Sequence, residues 1–300
     1  MMKRCFRSGL LLAALLVSVA GLAVAAVAAE GPVAGASGGS LAGPVRVMSY
    51  NIRYDNPDDR PGWAQRQGPM LDQIRFTAPD ILGVQEALPH MLTALAAGLP
   101  GYDHYGQGRD GRGADGGERG ESTAIFYSRA RFALVQAETQ WCSATPDRPS
   151  KAEGAGSPRT ITRLLLTDRS SGALYDVRNV HFDNVSDRAR SDCARQVLAM
   201  PAAAGARLIV LGDFNSDAGG GAYRLLASAM ADARRVSPVV FGPDGTFNDF
   251  DIRQTGPALD HILIGAGLAA VRFATLTDSI QGQVISDHFP VVADLQRQGE

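Results

Sequence analysis

Apolar positions along the chain follow two patterns. Some segments alternate, as a strand with one buried face does; others are short continuous apolar runs bounded by turn residues, as in a strand buried on both faces. VRVMSYNIRY alternates, with Val45, Val47 and Ser49 opposite Arg46, Met48 and Tyr50. GALYDVRNVHFDN sets Tyr175, Val177, Asn179 and His181 on one face. PDILGVQEA, ESTAIFYS, RLIVLGDFNS, ALDHILIG and HFPVVADL predict further strands, and Leu208–Leu211 has the profile of a strand covered on both sides. LPHMLTALAAGLPGY predicts a short helix, with Pro89 suited to its first turn and Gly98 to its stop. Residues 186–200 predict another, on which Ala189, Cys193, Val197 and Met200 form an apolar stripe. GGAYRLLASAMADARR predicts a third. Gly106 to Gly120 holds too many glycines and charges for a regular element and predicts a long surface loop. There Arg109, Arg112 and Arg119 are nearly cancelled by Asp110, Asp115 and Glu118, the pattern of a solvated loop. Both strand types with helices between them imply an α/β chain of stacked sheets covered by helices, with the strand order left open.

Polar residues recur where these runs end. One strand ends at Asn51 and the next at Glu86; another carries His181 and Asp183; the next ends GDFN, giving Asp213 and Asn215. Asp260 interrupts an otherwise apolar strand, and the last strand is preceded by Asp287 and His288. A site assembled from several strand ends is a rigid catalytic layout. The residue types suit phosphate chemistry. Carboxylates such as Glu86 and Asp287 are hard oxygen ligands for Mg2+, with Mn2+ the alternative. Amides position water without adding charge, and a carboxylate-held histidine steadies a phosphoryl oxygen or moves a proton. Clustered zinc ligands, a G-x-S-x-G elbow and a P-loop are all missing from the sequence. Each polar residue taken singly has a plainer explanation: a turn, a helix cap or a satisfied core histidine.

The amino-terminal pattern changes the picture of where the chain works. Lys3, Arg4 and Arg7 precede an uncharged apolar run, Leu10 to Ala29, with Ala26 and Ala28 at the spacing a signal peptidase needs before a cut at Ala29. Residues 1–29 are therefore expected to be a cleaved signal directing the chain to the periplasm or outside the cell. An uncleaved anchor is the rival, since about 20 apolar residues span a bilayer. Residues 30–44 are small and flexible and predict a linker; 45–297 predict one catalytic domain. Loss of the three basic residues moves the formal charge from −2 to −5. That balance disfavours tight nucleic-acid binding, which phosphate neutralisation drives. The remaining cysteines, Cys142 and Cys193, invite a disulfide in an exported chain, but the helical stripe favours Cys193 as a buried free thiol.

MSYNIRYDN, PDILGVQEAL, GESTAIFYS, NVHFDN, LGDFNS, LDHILI and SDHFPV resemble, in order, the motifs of the endonuclease/exonuclease/phosphatase superfamily, over residues 45–296. The resemblance implies a four-layer sandwich of two mixed sheets packed face to face and flanked by helices. It implies a metal-dependent phosphoesterase hydrolysing mono- or diesters by in-line water attack. Glu86 is similar to the principal metal ligand, Asp287 stands near that metal, and Asn51 and Asn215 match the amides around metal, water and phosphate. Asp213 is similar to the residue that activates water or aids the leaving group. His288 with Asp260 resembles the His–Asp couple, His181 the second catalytic histidine, and Glu121 the carboxylate that orients it. Arg53 departs from the pattern, because the abasic-site nucleases carry an acidic metal-shell residue there; this weakens a DNA-repair reading. A small-molecule, lipid-headgroup or nucleic-acid phosphoester stays open as substrate, with an extracellular nuclease or a sphingomyelinase-like enzyme as alternatives. A monomer is expected and no protein partner is implied. A non-catalytic binding protein on the same fold would have lost a ligand or a histidine, and none is lost.

Overall fold

The computed structural model describes residues 43–298; the expected signal and residues 30–42 of the linker lie outside them. Two large mixed sheets dominate. The first has seven strands, in spatial order Val240–Phe241, Leu268–Thr275, Val291–Arg297, Val45–Asn51, Ile81–Ala87, Ser122–Ser128 and Tyr102–Tyr105. The second has six: Ala231–Asp232, Asp260–Ile264, Arg207–Asp213, Leu174–His181, Thr160–Asp168 and Phe132–Trp141. Each sheet has a parallel pair near its centre. Val45–Asn51 runs parallel to Ile81–Ala87, and Leu174–His181 parallel to Arg207–Asp213. Each of these pairs ends in polar residues on the same side of the sandwich, where parallel strands deliver their carboxyl ends together.

Three apolar clusters define the layers. Between the sheets, Val45, Val47, Ile81 and Ile125 of the first meet Leu164, Val177, Ile209 and Ile262 of the second. On the outer face of the first sheet, Met48, Tyr50, Leu82 and Phe126 pack with Met70 and Ile74 of the helix Trp63–Thr77 and Met91 and Leu95 of the helix Pro89–Gly98. On the outer face of the second, Ile161, Val180 and Val210 pack with Ala194 and Val197 of the helix Asp187–Ala199 and Leu226 of the helix Gly221–Ala227. The alternation read along Val45–Tyr50 is this division: odd positions face the other sheet and even positions face helices. The architecture is the four-layer sandwich the motifs imply.

Several elements differ from the sequence expectation. The helix Trp63–Thr77 has weak amphipathic patterning and contains Pro69; tertiary cover from Met48 and Tyr50, rather than propensity, supports it. The segment 220–235 is two helices rather than one, Gly221–Ala227 and Ala233–Val236, split by the short strand Ala231–Asp232 that pairs with Asp260–Ile264. The glycine-rich stretch 106–120 folds a small hairpin, Gly111–Arg112 on Glu118–Arg119. Cys142 and Cys193 form a disulfide, which corrects the expectation of a free thiol. The stripe that places Cys193 in the core also aims it at the end of the strand Phe132–Trp141, and the Cα atoms stand 5.0 Å apart.

Between the sheets lie several polar ties, and the most directed centres on Asn179. Asn179 is fully buried in the second sheet and bonds entirely to the first: Nδ2 donates to the carbonyls of Val84 (2.9 Å) and Ala124 (2.8 Å), and Oδ1 accepts from Gln85 Nε2 (2.7 Å). The sheets come close enough because residue 83 is glycine; a Cβ there would sit 2.1 Å from Leu211 Cδ1 and 3.0 Å from Asn179 Cγ. Replacing Asn179 by Ala removes the side-chain donor to two buried carbonyls and the shortest acceptor of Gln85 Nε2, which keeps only longer bonds to Ser49 Oγ (3.3 Å) and the Gly83 carbonyl (3.4 Å). Asn179→Ala should cost roughly 3 kcal/mol or more of stability, read from urea melts; a loss under about 1 kcal/mol would show that the tie is incidental.

Candidate active site

The strand ends converge on a cleft of about 640 Å3 lined by Arg53, Glu86, Arg109, Glu121, Arg159, His181, Asp213, Asn215, Asp287 and His288, among others. The first sheet supplies Asn51 and Glu86; the second supplies His181, Asp213 and Asp260. The side chains are aimed by local breaks in regular structure. At Glu86 the pairing with Ser122–Ser128 shifts register, and the residue takes a left-handed backbone (φ 63°). Asn215 (φ 45°) and Arg53 (φ 53°) do the same. Non-glycine residues rarely adopt this region, and it collects at functional sites. Gly212 (φ 141°) precedes Asp213, and a Cβ on it would fall 2.0 Å from the Val180 carbonyl oxygen. That contact explains the glycine in LGDFN.

Asn51 joins the two halves of the site. Its Nδ2 donates to Glu86 Oε1 (3.0 Å) and to Asp213 Oδ2 (2.9 Å). Glu86 Oε2 accepts from the Tyr54 N–H (3.0 Å). The turn that presents Tyr54 is held by Arg66, only 1% exposed, whose guanidinium donates to the carbonyls of Ile52, Arg53 and Tyr54. Asp287 and His288 lie in irregular backbone before the strand Val291–Arg297, so the alternation rule for strands does not separate them. The stretch 287–289 pairs with the segment 246–249: Asn248 N–H donates to Asp287 O (2.8 Å) and Phe289 N–H to Thr246 O (2.7 Å). Phe247 packs edge-on against the His288 ring, with centroids 5.1 Å apart.

The two histidines differ in charge. His288 Nδ1 bonds Asp260 Oδ2 at 2.7 Å, and its Nε2 lies 3.8 Å from Asp213 Oδ2. Burial works against a charged ring, but the Asp260 and Asp213 carboxylates outweigh it and hold the His288 pKa well above the ordinary imidazole value. His181 Nε2 is 3.5 Å from Asp213 Oδ2. Burial, reinforced by the Arg159 and Arg109 charges, holds its pKa well below the ordinary value, so it is neutral. Asp213 is pushed up to about 7 by burial, against the His288 charge. A carboxylate with that pKa takes and releases protons near neutrality. Asp287 is pushed up to about 6, first by burial; Glu86 adds repulsion that Arg53 opposes.

Two sequence expectations change here. Glu121, expected to orient His181, instead bonds Arg109, with Oε1 and Oε2 at 2.7 and 2.8 Å from its guanidinium. It lines the cleft beside His181 with no hydrogen bond to it. Arg109 accordingly leaves the solvated loop and becomes a cleft residue, while Arg112 pairs with Glu118 and Arg119 with Asp115 on the outside. Arg159, in the Ser157–Arg159 stretch, and Phe247 are further cleft residues that strand-end reading did not reach.

Asp213, Asp260 and His288 offer ligand atoms within 4.8 Å of one another and could hold a metal ion. That trio, however, contains an imidazolium already bonded to Asp260. Glu86 and Asp287 differ: their charges repel, their donors are hard oxygens, and the only guanidinium paired with Asp287 among the described residues, Arg53, stands 3.6 Å away. This donor set fits a divalent cation.

The sequence profile of the endonuclease/exonuclease/phosphatase family matches residues 48–288, and the chain belongs to that family. Among solved structures, it is similar to a mannosyl-6-phosphatase of Bacteroides thetaiotaomicron, at 32% identity over 84% of this chain and 99% of that one, with a TM-score of 0.79. It is also similar to an endonuclease/exonuclease/phosphatase family protein of the same organism, at 31% identity over 85% and 98%, with a TM-score of 0.81. The human nocturnin catalytic domain, at 22% identity over 85% and 94% with a TM-score of 0.68, shares the fold. Comparison with curated proteins finds no match. The chain is thus a member of a family of phosphatases and nucleases that act on phosphoesters.

The raised carboxylates make the site pH-sensitive. Between the ordinary carboxylate value and the raised values of Asp213 (about 7) and Asp287 (about 6), the folded chain binds more protons than the unfolded one. Its stability without metal therefore falls as pH rises through that window, and the raised His288 pKa acts in the same direction. A cation competes with those protons, so its stabilising effect grows as pH rises. Melting temperatures in Mg2+ and in EDTA should differ more at about pH 7.5 than at about pH 5. An equal difference at both would contradict this picture.

Proposed function

We propose that the protein is an exported, Mg2+-dependent phosphoric ester hydrolase. The observation that carries this is the grouping, in one cleft, of a base near neutral pKa, a held imidazolium and a hard carboxylate pair. Glu86 and Asp287 would hold the cation, with Asn51 fixing Glu86. When bound, the cation supplies positive charge that offsets charge building on the phosphoryl oxygens. Asp213 accepts the proton of the attacking water at Oδ2. Asn51 and the Asn215 N–H hold that carboxylate in place. The His288 imidazolium, fixed by Asp260, donates to a phosphoryl oxygen, and neutral His181 sits across Asp213 from it. Asn215, whose Nδ2 is tied to the Phe182 carbonyl (3.0 Å), lines the cleft beside the attacking water.

Arg53 supports a single-metal arrangement, because its guanidinium faces Asp287 where the abasic-site nucleases carry an acid. The mannosyl-6-phosphatase neighbour and the acidic balance of the chain favour a small phosphorylated sugar over nucleic acid. An extracellular nuclease or a lipid-headgroup hydrolase is the competing outcome of the same assay. No helix among the described residues is long and apolar enough to cross a membrane. Export through the 1–29 signal is part of the proposal, and amino-terminal sequencing of the secreted protein should begin at or next to Ala29.

Incubation with Mg2+, Mn2+ or EDTA against hexose 6-phosphates, inositol phosphates, plasmid DNA, sphingomyelin and a bis-aryl phosphodiester tests the activity. Metal-dependent release of phosphate from the sugar is expected. His288→Ala and Glu86→Gln should each lower kcat by about a thousandfold while circular dichroism stays unchanged. Turnover within about tenfold of wild type in either variant would refute the assignment.

A further inference from the structure

Arg159 has more hydrogen-bonding capacity than the protein uses. It is 7% exposed, yet its Nε and Nη1 have no partner. Only Nη2 is engaged, donating to Asn184 Oδ1 at 3.0 Å. Asp183 stands 3.8 Å from Nε, but its carboxylate is taken by the N–H groups of Gly156, Ser157, Val185 and Ser186. The neighbouring Arg109 also has an unpartnered Nε, and so does the hydroxyl of Ser122. All three residues line a niche of about 10 Å3 together with Glu86 and His181, and the two arginines also line the main cleft. A buried donor without an acceptor costs roughly 1–3 kcal/mol, and a ligand oxygen removes that cost.

The cluster is rigidly mounted. The Arg159 carbonyl accepts from Cys142 N–H (2.8 Å), and Cys142 is bridged to Cys193 of the helix Asp187–Ala199. The Arg109 carbonyl accepts from Trp141 Nε1 (2.7 Å), and its N–H donates to the Glu121 carbonyl (2.8 Å). Donors held this firmly select a ligand by geometry rather than by adapting to it.

Given the phosphoesterase reading, on which this rests, we propose that Arg159, backed by Arg109, is a subsite for the second charge of a phosphomonoester dianion, so that the enzyme prefers monoesters to diesters. A monoester carries three non-bridging oxygens and close to two charges at neutral pH, since its second pKa is about 6. In a diester an ester arm replaces one of those oxygens and one charge is lost. The metal site and His288 would take phosphoryl oxygens on their side of the cleft; Arg159 offers an unmet charged N–H to the remaining one. A carbon arm at that place would leave the buried guanidinium donors unmet.

The test uses the full Mg2+-loaded protein. The kcat/KM values for p-nitrophenyl phosphate and methyl p-nitrophenyl phosphate are compared in wild type, Arg159→Ala and Arg159→Lys. Arg159→Ala should lower the monoester value roughly 10- to 100-fold, the range that charge-assisted hydrogen bonds supply, and change the diester value less than about threefold. Arg159→Lys should recover part of the loss. Equal loss on both esters overturns the proposal. Because Arg159 is buried and its variants can fail to fold, calorimetry on the wild type gives a second reading. Inorganic phosphate should bind at least about tenfold tighter than dimethyl phosphate, a factor that one charge-assisted bond supplies; equal affinity overturns the proposal. Absence of hydrolysis of both esters and of every substrate in the panel above would refute the phosphoesterase reading, and the calorimetric comparison would still decide the subsite.

Discussion

The site depends on one fully buried amide. Asn179 belongs to the second sheet but makes its three side-chain bonds to Val84, Ala124 and Gln85 of the first. Apolar contact between two sheets is non-directional and allows sliding. Three directed hydrogen bonds do not, because each weakens steeply with misalignment. The register they hold sets the ends of Val45–Asn51 and Ile81–Ala87 opposite the ends of Leu174–His181 and Arg207–Asp213. The Asn51 amide, which touches Glu86 and Asp213 at once, exists only in that register. The Val84 carbonyl that Asn179 satisfies lies where pairing with Ser122–Ser128 shifts, and that shift turns Glu86 toward the cleft.

The cleft is where the molecule is least at ease. Of the seven non-glycine residues with positive φ among the described residues, Arg53, Glu86 and Asn215 line it, and such a conformation costs roughly 1–3 kcal/mol each. The raised pKa values of Asp213 and Asp287 express the same tension electrostatically: without a cation, burial favours their protonated forms. Arg159 mirrors it with the opposite sign, its pKa lowered by burial and by Arg109. Buried carboxylates on one side and unmet arginine donors on the other are what a cation and an oxyanion together would satisfy. The surrounding cores, packed on both faces of both sheets, hold that arrangement in place.

Much of this was legible along the chain. The strand-end residues Asn51, Glu86, His181, Asp213, Asp260 and His288 all come to one cleft or its backing, because apolar runs define where strands stop and the polar residue follows. What escaped was decided by neighbours distant in sequence. Arg109, Arg112 and Arg119 are equivalent by local charge count. In space Glu118 and Asp115 take the last two, and Arg109 turns inward to Glu121. That choice ties Glu121 to Arg109, with no hydrogen bond from it to His181. The helical stripe marks Cys193 as a core residue, which it is, but it carries no signal of the strand that brings Cys142 beside it. The helix Trp63–Thr77 was hidden by Pro69, although its Arg66 holds the turn that presents Tyr54 to Glu86.

By itself the sequence determined the class of fold, its strands and covered faces, and the chemical types gathered at the strand ends. These follow from hydrophobic periodicity and motif order, which are local properties of the chain. The tertiary structure alone decided which carboxylate meets which cation, which histidine is charged, and which arginine enters the cleft. Those outcomes depend on distance and burial between residues far apart in sequence, such as Asp260 and His288 or Asn51 and Asp213. Ionisation energies change with both, and neither is encoded at a single position.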